Sequence, residues 1–262
     1  MDYRLLREAY FKQSLFDPLA SGPKARPKKE LKELGDLARN SLMVKDIVLM
    51  LGRFSKLIVN PKDISPIFKG KSFRNHKSFQ ISLATFRENA STAELLHTRY
   101  LAPEAYDLDA LLRLPEHTLG HAFAKHMKAY KLEQVFYPPL EDKEDDDIAY
   151  WRKRARQTHD IHHVVLGFPA IDAGEMAISA FYLAQHNVPL SALLLGFGFL
   201  YTILREPERI DELMRAIHRG WAAGKQADKL MGVKWEELWE EPLETVRQRL
   251  NVPPPAPEGE FP

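Results

Sequence analysis

Two histidines and two carboxylates stand at spacings that can gather them around one ion. His159, Asp160 and His163 lie within residues 158–169, and Glu175 follows within residues 172–176. On a helix turning roughly 100° per residue the first three point at about 0°, 100° and 40°, so they share one face. Gly167 and Pro169 then suit a helix stop, because glycine tolerates left-handed backbone and proline cannot continue the hydrogen-bond ladder. The chain turns back and brings Glu175 from a second helix. Imidazole nitrogens and carboxylate oxygens are the donors that zinc or iron(II) accepts. The alternative is a metal-free hydrogen-bonded network of the same side chains, since histidines at i and i+4 also arise by chance. The flanks favour the ion. Val164, Val165, Leu166 and Phe168 on one side, with Met176, Ala177, Ile178 and Phe181 on the other, carry these groups into an apolar interior, where charges are costly unless paired or metal-bound. His162 falls off that face and reads as a supporting or surface histidine.

The elements that must position this motif come from an all-α chain. Its 262 residues, 45% hydrophobic and 10% aromatic, can bury a substantial core. A net charge of +1 gives no electrostatic footprint for nucleic acid. Without cysteine, disulfides, iron–sulfur clusters and cysteine nucleophiles are excluded, and any metal needs N and O ligands. The N-terminus lacks the apolar core of a secretory signal and carries acids that transit peptides avoid, so the protein is expected to stay where it is made, in the cytoplasm. The longest uncharged stretch, 187–204, contains Pro189, Ser191, Gly196 and Gly198 and falls short of the ~20 apolar residues that span a bilayer.

In chain order, residues 2–16 have helical apolar spacing suited to docking or to a membrane surface, and 21–29 read as a linker. The apolar period over 31–59 predicts one long helix, followed by a possible short turn at 64–68. Further helices are expected over 73–88, 92–100 (capped by Ser91 or Thr92), 108–112 and, with Pro115 near its start, through Leu119, Phe123 and Met127. His117, His121 and His126 have no facing acid nearby, so no second metal is expected. The acidic run 141–147 lacks the pattern of a calcium loop and reads as a solvated cap for the motif helix, 148–166. Helices follow to His186, over 189–204, 207–224, 235–240 and 242–250, with a polyproline-like tail from 253. The 189–204 helix is apolar almost all round and should be buried. Gly196 and Gly198 there permit either tight packing or a groove for an apolar ligand.

His159-Asp160-x-x-His163, followed after eleven residues by Glu175, resembles the Coq-four family of coenzyme Q (ubiquinone) biosynthesis proteins. Leu114-Pro115-x-x-Thr118-Leu119-Gly120, Trp235-Glu236, Leu243, Arg247 and Leu250 support the resemblance, which covers roughly 44–252. It implies a divalent metal held by His159, Asp160, His163 and Glu175: zinc first, with iron(II) or magnesium as alternatives. It also implies oxidative decarboxylation and hydroxylation of a polyprenylated 4-hydroxybenzoate-type precursor, isoprenoid lipid binding, contact with other quinone-biosynthesis proteins and peripheral membrane association. Asp160 would be a ligand or a base. The expected organisation is an N-terminal helix and linker (1–30), a single-domain helical bundle (31–252) with a buried metal site and an apolar lipid groove, and a Pro-rich tail (253–262). A homodimer is a further expectation. Two rival functions are a non-catalytic lipid-binding scaffold with a structural metal, and a zinc hydrolase. The hydrolase is weakened because position 160 holds Asp where such enzymes carry a catalytic Glu.

Overall fold

Why the motif helices stop, turn and meet where they do can be followed bond by bond in a computed structural model, which describes residues 77–102, 105–134 and 146–255 together with Gly52. The described residues are helical with no strand, only an isolated bridge between Thr118 and Pro242. The 1–30 segment, the 31–59 helix apart from a helical Gly52, the 64–68 turn, the start of the helix at 73, the acidic run to 145 and the tail beyond 255 lie outside the described residues.

α1 (Lys77–Glu88) and α2 (Ala90–Thr98) are joined by Asn89, whose side chain accepts from the N–H groups of Ser91 and Thr92 at 3.2 and 3.3 Å. The cap expected at Ser91 or Thr92 therefore sits at Asn89. Thr92 is buried and spends its hydroxyl on the Phe86 carbonyl instead. After α3 (Leu108–Leu112), α4 (Leu119–Ala129) begins behind Thr118, whose hydroxyl accepts from His121 N–H at 3.3 Å. Pro115 lies outside that helix, closing a turn with Thr118.

Two free amides of α4's first turn find partners far along the chain: Leu119 N–H donates to Glu241 and Gly120 N–H to Trp239, both at 2.9 Å. The helix expected over 235–240 is instead a 3-10 turn, Trp235–Glu237, with Leu238 N–H donating to the Trp235 carbonyl at 3.0 Å.

α5 (Asp147–Leu166) starts on Asp146, which accepts from Ala149 N–H at 2.9 Å, and Asp147 pairs with Arg99 at 2.8 Å and with Arg87. It ends at Gly167, in left-handed backbone at φ 70°. Phe168 N–H reaches back to the His163 carbonyl (2.9 Å) and Gly167 N–H to Val164 (3.2 Å), closing the turn. Arg247, on α9 (Leu243–Arg249), caps the same end by donating to the carbonyls of Val165 and Val164 at 2.8 and 2.9 Å. α6 (Asp172–His186) then starts so close to the turn that a Cβ on Gly174 would lie 1.8 Å from the Pro169 carbonyl oxygen.

α6 packs along α8 (Ile210–Gln226), where a Cβ on Gly220 would meet the Ala177 carbonyl oxygen at 1.9 Å. Between α7 (Pro189–Arg205) and α8 the chain makes a 3-10 turn, Pro207–Arg209, so the helix expected from 207 starts at Ile210. The core beneath the motif joins Leu119 and Phe123 of α4, Ile161 and Val165 of α5, Ile178 and Phe181 of α6, and Trp235. Truncating a ring such as Phe181 in this core costs about 3–5 kcal/mol.

A further expectation is overturned. α7 (Pro189–Arg205) is not buried all round: Leu200, Ile203 and Leu204 are 50%, 59% and 65% exposed. Its two glycines differ as well. A Cβ on Gly198 would meet Met176 Sδ at 2.6 Å, whereas Gly196 has nothing within 4 Å. Average hydrophobicity cannot separate a core helix from one with an uncovered apolar face.

Candidate metal centre

α5 presents His159 and His163 one turn apart, and the reversal after Gly167 sets Glu175, in the first turn of α6, opposite both. His159 Nε2 lies 3.4 Å from Glu175 Oε2, and His163 Nε2 lies 3.2 Å from Oε1. The three donor atoms are all within 4.8 Å of one another. The second nitrogen of each ring is already engaged: His159 Nδ1 with Asp160 Oδ1 at 3.2 Å, and His163 Nδ1 with the Phe168 carbonyl at 3.0 Å.

A ring that donates its Nδ1–H to an oxygen turns an Nε2 lone pair toward its other neighbour. For His163 that neighbour is a carboxylate. The contact lacks hydrogen-bond geometry, and His163 Nε2 is buried with no hydrogen-bond partner. Lone pair against carboxylate is repulsive unless a cation lies between them, and a divalent ion accepts this donor set of two imidazoles and one carboxylate. The residues present therefore fit a metal.

The electrostatics agree. Burial opposes a charged His159, but Glu175 and Asp160 outweigh it and raise its pKa to about 10. Burial likewise opposes ionisation of Glu175 and Asp160, yet the facing histidines hold both carboxyls below their ordinary values. The site is poised to hold positive charge.

Asp160, expected as a fourth ligand, is not among the three converging donors; its contact is with His159 Nδ1, where it orients the ring. His162 is fully buried and bonds the Tyr182 hydroxyl at 2.7 Å, so it supports the site from behind. Burial pushes the His162 pKa well below its ordinary value, and pushes Tyr182 up, helped by Asp160 and Glu175. His121 is structural: its Nδ1 faces the carbonyls of Leu112 and Leu114 at 3.1 and 3.0 Å.

Of two further neighbours, Tyr182 escaped the sequence reading and His126 was weighed there only for a second metal. Tyr182 stands seven residues after Glu175, two helical turns along the same face, so its spacing could have flagged it. The place of His126 beside this centre could not be found that way, because α4 carries it there by tertiary packing. Its ring lies 5.9 Å from that of His163, nearly parallel at 24°. Its Nε2 is buried without a partner, and burial, then His163, lower its pKa to about 4. Both histidines line an open cleft of about 270 Å³, walled by Ala122, Val164, Phe168 and Pro169.

Comparison with known proteins places this geometry. The family described as coenzyme Q (ubiquinone) biosynthesis protein Coq4 matches residues 43–256. A relative from Aedes aegypti named a mitochondrial ubiquinone biosynthesis protein COQ4 homolog is 34% identical over 146 residues, 56% of this chain and 53% of that protein. The mitochondrial COQ4 protein of Eremothecium gossypii is 36% identical over 148 residues, 56% of this chain and 45% of its own. The chain thus spans about half the length of these curated relatives. A crystal structure from Nostoc punctiforme, described as a candidate ubiquinone biosynthesis protein, superposes with a TM-score of 0.68 at 32% identity, covering 79% of this chain and 98% of that one. Since the family match spans most of the chain and includes both helices of the motif, the chain belongs to the Coq4 family of ubiquinone biosynthesis proteins.

Proposed function

We propose that this chain binds one divalent metal ion through His159, His163 and Glu175, and uses it in ubiquinone biosynthesis to replace the carboxylate of a polyprenylated 4-hydroxybenzoate-type precursor by a hydroxyl on the same ring carbon, the carboxylate leaving as carbon dioxide and dioxygen, the two-electron oxidant, being reduced to hydrogen peroxide. The observation that carries the reading is the buried Nε2 of His163, aimed at a carboxylate and lacking a hydrogen bond. A bound ion would supply Lewis-acid stabilisation of negative charge developing on the precursor's oxygens. Zinc heads the choices, with iron(II) and magnesium behind it.

The chain's own residues do the positioning. Asp160 and the Phe168 carbonyl fix the two imidazoles by their Nδ1 atoms. Glu175 closes the third side while remaining 44% exposed, which leaves the centre open to a substrate. Val164, Phe168 and Pro169 give the neighbouring cleft apolar walls that suit an aromatic ring and exclude water. Asp160 stays committed to His159, which weighs against the zinc-hydrolase alternative, where a carboxylate at that position must activate water.

Membrane contact and a role in assembling other quinone-biosynthesis proteins extend the proposal. No helix of the described residues is long and apolar enough to cross a membrane. The exposed Leu200, Ile203 and Leu204 of α7, with Met214 and Trp221 of α8, offer apolar surface at which a lipid-borne precursor could be met. A non-catalytic lipid-binding scaffold would use the same surface.

Activity separates the readings. A short-tailed prenyl 4-hydroxybenzoate should release carbon dioxide with the metal-loaded chain and not with folded His163→Ala. Undiminished release from the metal-free variant would overturn the catalytic assignment and leave the scaffold.

A further inference from the structure

We infer that His126 is a ligand-binding residue of this centre: from α4 it hydrogen-bonds an oxygen of the aromatic carboxylate seated in the cleft, so that two helices grip the bound molecule. The inference rests on the metal centre proposed above and assigns a role to a residue outside the metal-binding motif.

Three observations converge on it. The cleft has two polar walls, His126 and His163, set among Ala122, Val164, Phe168 and Pro169. Such a lining accepts a flat apolar ring and leaves the two imidazoles to meet its polar atoms. His163 is spoken for on both sides: the Phe168 carbonyl engages its Nδ1, and its Nε2, which has no hydrogen-bond partner, is the nitrogen assigned to the metal. His126 is the uncommitted one, since its Nε2 is buried and has no partner. A buried polar atom without a partner is destabilising and calls for an explanation, and a ligand that supplies the missing bond provides one.

The ring's placement supports the same role. It stacks at 24° to His163 with 5.9 Å between centroids, and lies 4.8 Å from the Tyr130 ring. These two neighbours restrict its rotation beside the centre. His126 is absent from the group of three converging donors, so it is placed for the ligand rather than for the ion.

Calorimetric titration of the full-length, metal-loaded chain with 4-hydroxybenzoate tests this, alongside His126→Phe and His126→Gln, with bound metal measured for each. Phenylalanine fills the same space without a polar atom, while glutamine restores an N–H near the Nε2 position. The expected result is unchanged metal content in both variants, affinity weakened about tenfold or more by phenylalanine, and affinity within a few-fold of wild type with glutamine. Wild-type affinity in His126→Phe, equal loss in both variants, loss of metal from the phenylalanine variant, or no binding to the wild-type chain would each overturn the inference. A wild-type chain that binds no metal would instead count against the proposed function, and the affinity difference between wild type and His126→Phe would still decide the role of His126.

Discussion

At the scale of single residues, the centre is defined by which nitrogen of each ring is already spoken for. His159 and His163 both engage Nδ1 locally, and both aim Nε2 at Glu175. Asp160→Asn should preserve one bound ion per chain at saturating metal and weaken its affinity by roughly 10–100-fold, the usual cost of losing an orienting carboxylate. Competition against a chelator would measure it. Metal affinity should also depend on pH with a definite sign. The pKa of His159 without metal is raised to about 10, so its ion pair stabilises the metal-free fold at low pH and is lost as pH rises through that value. Metal must displace that proton, so apparent affinity should climb roughly tenfold per pH unit below about 10. A flat profile between neutral and mildly alkaline pH would contradict the assignment of His159 as a ligand. His159, His163 and Glu175 were legible in the sequence because local geometry alone brings them together. His126 was not, because no local pattern shows which face of α4 packs against α5.

At the scale of elements, the decisive device is the reversal between α5 and α6. Gly167→Ala forces a Cβ into left-handed backbone at φ 70° and to within 2.5 Å of Pro255 Cβ. It should cost at least about 1–2 kcal/mol, read as a lower midpoint of chemical denaturation. An unchanged midpoint would show that the turn is not what fixes Glu175. Helix-stop chemistry made this reversal visible in advance, and the ends of α5 and α6 fell within a residue of expectation. Caps were harder: Asn89, not Ser91, starts α2, because burial turns Thr92 inward. The 235–240 segment misled too: it closes i to i+3 as a 3-10 turn at Trp235–Glu237, and Trp239 just beyond it accepts from the first turn of α4.

At the scale of the whole molecule, the described residues form a helical body that carries a polar centre beside an apolar cleft, and an apolar face on α7 that hydropathy alone assigned to the interior. The helical class and the motif could be read from periodicity, whereas burial of a uniformly apolar helix depends on what packs against it. The account stands on the three converging donors holding an ion. Elemental analysis of the purified chain after metal loading and desalting tests that most directly, with circular dichroism to verify the fold. One divalent ion per wild-type chain, and none retained by an equally helical Glu175→Ala, is the predicted result; equal metal content in the two proteins, or none in either, would contradict it.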